Sequence, residues 1–163
     1  MDYTHLIQNK ILDDAGLNRL LTLSRIQSKK IVFTNGCFDI LHKGHADYLA
    51  KAKSYGDILV LGLNADVSVK KLKGANRPIN SQDARAFLLA SFHVVDAVIL
   101  FEEETPYELI KKVNPDVLVK GADYHPESIV GADIVKANGG TIVTVEFLQG
   151  YSTTTIINKL SGK

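Results

Sequence analysis

Thr34-Asn35-Gly36-Cys37-Phe38-Asp39-Ile40-Leu41-His42-Lys43-Gly44-His45 lies between a short apolar strand candidate, Ile31-Val32-Phe33, and a helical pattern running to about Lys53. A strand, a glycine-containing turn and a helix start bring backbone N–H groups together, and the helix dipole adds partial positive charge there. The turn therefore suits a phosphate. His42 and His45 are three residues apart, so both can face one side of the helix entrance. Gly44 between them has no Cβ and lets a ligand come close to the main chain. Two imidazoles aimed at a phosphate can hydrogen-bond its oxygens as they gain charge, which is electrostatic rather than covalent catalysis.

On the C-terminal side, the helix carries Tyr48, Leu49 and Ala52 at core spacing and ends near Tyr55-Gly56-Asp57. The run Ile58-Leu59-Val60-Leu61-Gly62-Leu63 is continuously apolar, as expected of a strand covered on both faces in a parallel sheet. Strand, helix and strand make a right-handed βαβ unit. Asn64-Ala65-Asp66 ends the second strand; Asn64 and Asp66 are suited to gripping hydroxyls and are also common turn residues. A polar loop is expected over residues 67 to 78, with Lys70, Lys71, Lys73 and Arg77 as its cations. Ligands of open α/β sheets bind beyond the carboxyl ends of the strands, so this loop is placed to close over a polyphosphate or sugar phosphate.

Asn80 or Ser81 can cap the next helix, in which Arg85 reads either as a surface residue or as a phosphate and ribose contact. Val94 to Leu100 reads as a third strand, and Thr105-Pro106-Tyr107-Glu108 as a capping box opening a helix to about Val113. Glu102, Glu103 and Glu104 are poor company for a triphosphate and are read as solvated. Val117-Leu118-Val119 makes a fourth strand ending in Lys120-Gly121-Ala122-Asp123-Tyr124, whose cation, glycine and carboxylate at a strand end favour a ligand contact. A helix over about Glu127 to Ala137 follows, then Thr141 to Val145 as the fifth strand. The last helix opens at Gly150-Tyr151-Ser152-Thr153-Thr154, where hydroxyls and free N–H groups make a second phosphate cradle. Residues 1 to 29 read as helical, a cap on the domain or part of a dimer contact, with Leu17, Leu20, Leu21 and Ile26 as the apolar spacing. The alternation predicts one doubly wound, Rossmann-like domain over residues 30 to 163 with a five-stranded parallel sheet.

Composition agrees with such a domain. The chain has 163 residues, 45% hydrophobic and 23% charged. A net charge of +1 gives no global reason to expect nucleic acid or an anionic membrane as partner, so an anion site must be built locally. The single cysteine, Cys37, excludes an internal disulfide and reads as a small residue lining the site. No basic n-region precedes an apolar run at the N-terminus, and a cytoplasmic location is expected.

The His42-Lys43-Gly44-His45 string resembles the HxGH motif of the nucleotidyltransferase superfamily. More narrowly, Thr34 to Asp39, Arg77-Pro78, Val119 to Tyr124 and Gly150 to Thr154 are similar to the D-glycero-D-manno-heptose 1-phosphate adenylyltransferases. A cytidylyltransferase acting on glycerol 3-phosphate is the alternative, and a non-catalytic nucleotide-binding module the rival from another class. Glycerol-3-phosphate cytidylyltransferases carry an arginine in the string before the last helix; Phe147-Leu148-Gln149-Gly150-Tyr151-Ser152-Thr153 has none. The resemblance implies transfer of AMP from ATP to a heptose 1-phosphate with release of pyrophosphate, for lipopolysaccharide or surface-glycan precursors. It implies His42 and His45 as the catalytic pair. It assigns the nucleotide to Asn35, Gly36, Cys37, Phe38 and Gly44, to Lys71, Lys73 and Arg85, to Lys120, Gly121, Asp123 and Tyr124, and to Gly150, Ser152, Thr153 and Thr154. Asn64, Asp66 and Arg77 fall to the sugar phosphate. It further implies Mg2+ bridging the phosphates without a dedicated protein cage, a homodimer or higher homo-oligomer, and a separate upstream sugar kinase.

Overall fold

The computed structural model describes residues 2–122 and 129–160. At its centre is β2 (Ile31–Gly36), hydrogen-bonded in parallel to β3 (Ile58–Asn64) on one side and β5 (Val117–Gly121) on the other. β4 (Ala97–Phe101) extends the sheet beyond β3, and β6 (Thr141–Val145) extends it beyond β5. All seven residues of β3 are buried, which is why it reads as an unbroken apolar run rather than an alternation. Helices cover both faces and divide the core in two. Leu49, Leu59, Leu61 and Leu89 pack in one cluster; Leu17, Phe33, Val60 and Leu118 pack in the other.

The sheet has six strands, not five. The sixth is β1 (Ile11–Leu12), an edge strand paired in parallel with Val98 and Ile99 of β4. It lies between α1 (Tyr3–Gln8) and α2 (Asp14–Ile26), so the first 29 residues are not uniformly helical. Two residues are too few to display a period. Lys10 reinforces the addition, donating from Nζ to the carbonyl of Val95 at 2.8 Å. Leu17 and Leu21 face the core as expected, whereas Ile26 is 75% exposed.

A second difference lies after β3. Residues expected as a loop form α4 (Asp66–Lys73). Val69 and Ser68 are completely buried beneath it, and Asp66 stands at its positive end with Lys70, Lys71 and Lys73 at its negative end. Both placements favour a helix, and only residues 74 to 81 remain as a connection to α5 (Gln82–Ala90). β4 starts three residues later than expected, because Asp96 turns its carboxylate onto the N–H of Leu59 at 2.7 Å instead of entering the strand. α6 (Tyr107–Val113) has Pro106 at its N-cap with no side-chain cap bond, in place of the capping box. α7 (Ala132–Ala137) is the described part of the next helix; its expected start at Glu127 lies outside the described residues. No described helix is long and apolar enough to cross a membrane.

From β2 the chain moves outward one way to β3 and β4, then returns to the other side of β2 for β5 and β6. The carboxyl ends of β2 and β5 therefore flank the point where the strand order reverses, the crevice in which open α/β sheets bind ligands.

Candidate functional site

At that crevice β2 delivers Asn35 and Gly36, and β5 delivers Lys120 and Gly121. The Lys120 ammonium donates to the Asn35 side-chain oxygen across the switch point, fixing the two strand ends together. They border a cavity of about 480 Å3, a size suited to a nucleotide. His45, Asn64 and Lys73 lie on the same wall system, so residues distant in sequence meet in one concavity.

The turn between β2 and α3 (Lys43–Lys53) is built around Phe38. Its φ is +46°, in the left-handed region that side chains rarely adopt. That conformation folds the ring back onto Gly36: a Cβ there would lie 2.9 Å from Phe38 Cε2, so only glycine fits. The same ring meets His45 edge-on, with centroids 5.2 Å apart. His45 in turn stacks on His42 at 3.8 Å and 18°. α3 opens at His42 with no side-chain cap and no acidic residue in its first turn, leaving its leading N–H groups to water or to a ligand.

Burial disfavours the charged form of both imidazoles. Burial lowers His45 to about 4, helped by the neighbouring His42 and by Lys73. Burial likewise lowers His42. The Nδ1 atoms of both rings are buried and find no partner among the described residues. Buried polar atoms are normally satisfied, so these two nitrogens stand out among the described residues. Burial raises the Cys37 thiol against the pull of Lys73 and Arg85, so it stays protonated and lines the cavity as a small neutral group.

α8 (Thr153–Leu160) starts beside this turn. A Cβ on Gly44 would come within 3.2 Å of Tyr151 Cβ, and the Lys43 ammonium lies 5.7 Å from the centre of the Tyr151 ring. Ser152 Oγ accepts from the Thr155 N–H at 3.0 Å, capping the helix. Gly150, Ser152, Thr153 and Thr154 thus stand near the histidines but outside the cavity lining. Asp123 and Tyr124 lie outside the described residues.

Four assignments change. Arg85 is fully buried and does not face the cavity; its guanidinium donates to the carbonyls of Cys37, Asn64 and Asn80 and to Asp66. It is a structural group, because a guanidinium with four internal acceptors has little left for a phosphate. Asp66 is correspondingly taken up by Arg85 at 2.8 Å rather than presented to a sugar. Arg77 ion-pairs through Nε with Asp39 at 2.6 Å, away from the cavity lining, although its Nη2 is buried without a partner among the described residues. Lys71 projects from the exposed side of α4, while Lys73, at the end of that helix, reaches the cavity. Asn64 also lines the cavity, with its amide donating to Ser68 Oγ at 2.9 Å.

Glu104 was expected in solvent. It is exposed, yet it borders the cavity with Thr105 and Pro106. Tyr48 and Phe147 are further lining residues that sequence reasoning missed as site groups. Tyr48 reads as ordinary helix core by spacing; only the fold shows its hydroxyl bonded to Thr34 Oγ1 at 2.8 Å and its ring 5.7 Å from that of Phe147. Among the described residues no three His, Cys, Asp or Glu side chains converge as a metal set.

A parallel sheet with its switch point at a nucleotide-sized crevice, and a histidine pair at the adjoining helix start, define a nucleotidyltransferase. The chain belongs to the Cytidylyltransferase-like family, which it matches over residues 33–159. It is similar to the Bifunctional protein HldE of Wolinella succinogenes, 51% identical over 155 residues, covering 95% of this chain and 32% of that protein. With HldE of Aliarcobacter butzleri it shares 61% identity over 132 residues, 81% of this chain and 27% of that one. The chain therefore spans about a third of the length of these relatives. Among solved structures, the lipopolysaccharide core biosynthesis protein from Thermoplasma volcanium superposes with a TM-score of 0.60 at 29% identity, over 76% of this chain and 99% of that one. Pantoate-beta-alanine ligase from Francisella tularensis shares the fold, with a TM-score of 0.55 at 18% identity, over 94% of this chain and 78% of that one.

Proposed function

We propose that this chain transfers AMP from ATP to a heptose 1-phosphate, giving an ADP-heptose and pyrophosphate for lipopolysaccharide or another surface glycan. The observation that carries the reading is His45 on the wall of a cavity that also holds Lys73 and Lys120, with His42 stacked on it from behind the lining. The strings shared with the heptose 1-phosphate adenylyltransferases support the acceptor, and the Thermoplasma relative, named a lipopolysaccharide core biosynthesis protein, supports the glycan setting.

A sugar 1-phosphate oxygen forms a bond to the α-phosphorus of the Mg-nucleotide, and the bond from that phosphorus to the pyrophosphate oxygen breaks. The attacking oxygen is already ionised, so no general base is needed. The chain must align two polyanions and meet the charge that grows on the five-coordinate phosphorus. Neutral imidazoles donate N–H bonds to those oxygens without first giving up a proton. Lys73 from the end of α4 and Lys120 from β5 offset the phosphate charge, and the uncapped α3 N-terminus adds its N–H groups. Asn64 and Glu104 offer hydrogen-bonding groups to the hydroxyls of the acceptor ring. A kinase for the upstream sugar and a homo-oligomeric assembly belong to the same reading.

The test is pyrophosphate release from ATP or CTP against heptose 1-phosphates and glycerol 3-phosphate. Turnover with ATP and a heptose 1-phosphate is expected to lead. A clear preference for CTP with glycerol 3-phosphate would move the acceptor and base assignments to the cytidylyl branch, and no turnover with any pair would reject the enzyme reading.

A further inference from the structure

Arg85 is the largest side chain with no exposed surface among the described residues. Burying a guanidinium is unfavourable unless its donors are met, so its acceptors show what the burial is for. Nη1 donates to the Cys37 carbonyl at 2.6 Å and the Asn64 carbonyl at 2.8 Å. Nη2 donates to Asp66 Oδ1 at 2.8 Å, and Nε to the Asn80 carbonyl at 3.1 Å. These acceptors sit in four places: the histidine turn, the end of β3, the first residue of α4, and the connection before α5. One planar group thus fixes the turn against the helix that carries the cations.

The Cys37 carbonyl belongs to the peptide that enters Phe38, the residue held at φ +46°. A charge-assisted bond to that oxygen holds the peptide plane in a conformation the side chain disfavours. Phe38 then presses on Gly36 and on the edge of His45, and His45 stacks on His42. We infer that Arg85 is a positioning residue for the histidine pair: by gripping the Cys37 carbonyl it keeps the Phe38 ring against His45 and sets both imidazoles relative to α4. Lysine is no substitute. Its single ammonium has three donors at one point and does not span acceptors that a guanidinium reaches in a plane.

The kinetic arm of the test rests on the proposed nucleotidyl transfer; the spectroscopic arm does not. Arg85→Lys and Arg85→Ala are compared with wild type for kcat, nucleotide KM and the imidazole resonances of the histidines. Expected are a loss in kcat of about a hundredfold, as for a displacement of the reacting geometry, with nucleotide KM within about threefold. Millimolar guanidinium should restore at least about tenfold of the kcat lost in Arg85→Ala, because it refills the planar donor site. The His42 and His45 signals should move while those of His5 and His93 stay. Unmoved His42 and His45 signals in folded Arg85→Lys overturn the inference whether or not the wild type turns over. So do a kcat within about threefold of wild type, or a loss in kcat matched by nucleotide KM with no response to guanidinium. If Arg85→Ala does not fold, Arg85→Lys decides on the spectra and the kcat-to-KM split.

Discussion

Gly44→Ala separates the stability of the histidine turn from its function. In a helix, alanine is favoured over glycine by about 1 kcal/mol, so the substitution starts with a gain. Against it, the new Cβ would lie 3.0 Å from His42 Nδ1, 3.1 Å from His42 Cε1 and 3.2 Å from Tyr151 Cβ. Ordinary contact begins at 3.4 Å, so the imidazole must retreat by about 0.4 Å, and the start of α8 must give as well. His42 cannot move freely, because it is stacked at 3.8 Å on His45. The retreat asked of the His42 ring and of Tyr151 Cβ is only a few tenths of an ångström, so the strain should cancel the helix gain and leave folding stability within about 1 kcal/mol of wild type. Catalysis is less forgiving. A shift of a few tenths of an ångström in a group aimed at the reacting phosphorus should lower turnover by about tenfold to a hundredfold. Urea unfolding and pyrophosphate release on the same preparation give both numbers. Turnover equal to wild type at unchanged stability would mean that the position of His42 does not matter.

The low value of His45 also has a pH signature. An unfolded histidine takes up its proton near 6.5, whereas His45 in the fold does so near 4. The unfolded state therefore binds more protons between these limits, and stability falls as pH drops through that window, by up to roughly 3 kcal/mol for this group. Urea midpoints across pH 7 to 4 check it, with His45→Gln expected to flatten the slope. Nucleotide binding brings negative charge to the pair and should be accompanied by proton uptake below pH 6.5, read by calorimetry in buffers of different ionisation enthalpy; zero uptake at pH 6 would mean that the phosphates do not approach the histidines. Asp39 accepts from Arg77 and from the N–H groups of Ile79 and Asn80, and these bonds outweigh burial to hold its carboxyl below the usual range. Asp39→Ala leaves those donors unpaired, so it should cost about 3 kcal/mol in urea unfolding and expose residues 74 to 80 to protease; a loss under about 1 kcal/mol would show that the turn is not held there. Lys73→Ala should raise nucleotide KM at least about tenfold, whereas Lys71→Ala should change it less than about threefold. Equal effects would contradict the difference in their placement.

β2 to β5 were legible because each is built on a run of apolar residues bounded by turn residues, as burial on both faces demands, whereas the half-exposed β6 was legible from its β-branched residues Thr141 to Val145. The histidine turn was legible for a related reason: strand, glycine and two imidazoles three apart are all local facts, set by backbone geometry within a dozen residues. α4 was also within reach. Asp66 at one end, three lysines and Gly74 at the other, and buried Val69 between them are helix signals that the density of charge obscured. β1 was not within reach, since Ile11 and Leu12 are extended only because β4 offers them a partner 87 residues further on. The roles of Arg85, Asp66, Arg77 and Glu104 depended on the same kind of long-range fact. By residue type Arg85 and Arg77 are phosphate ligands, and Glu104 is a solvated carboxylate. What distinguishes a buried bracket from a ligand is whether the acceptors are already supplied from inside. Those supplied to Arg85 come from residues 5 to 48 positions away. Local patterns were therefore enough for the five longer strands, the histidine turn and the chemistry available at that turn. Which cations reach the cavity and which are spent holding it together was decided only by tertiary structure, because a charge pairs with whatever the fold places beside it.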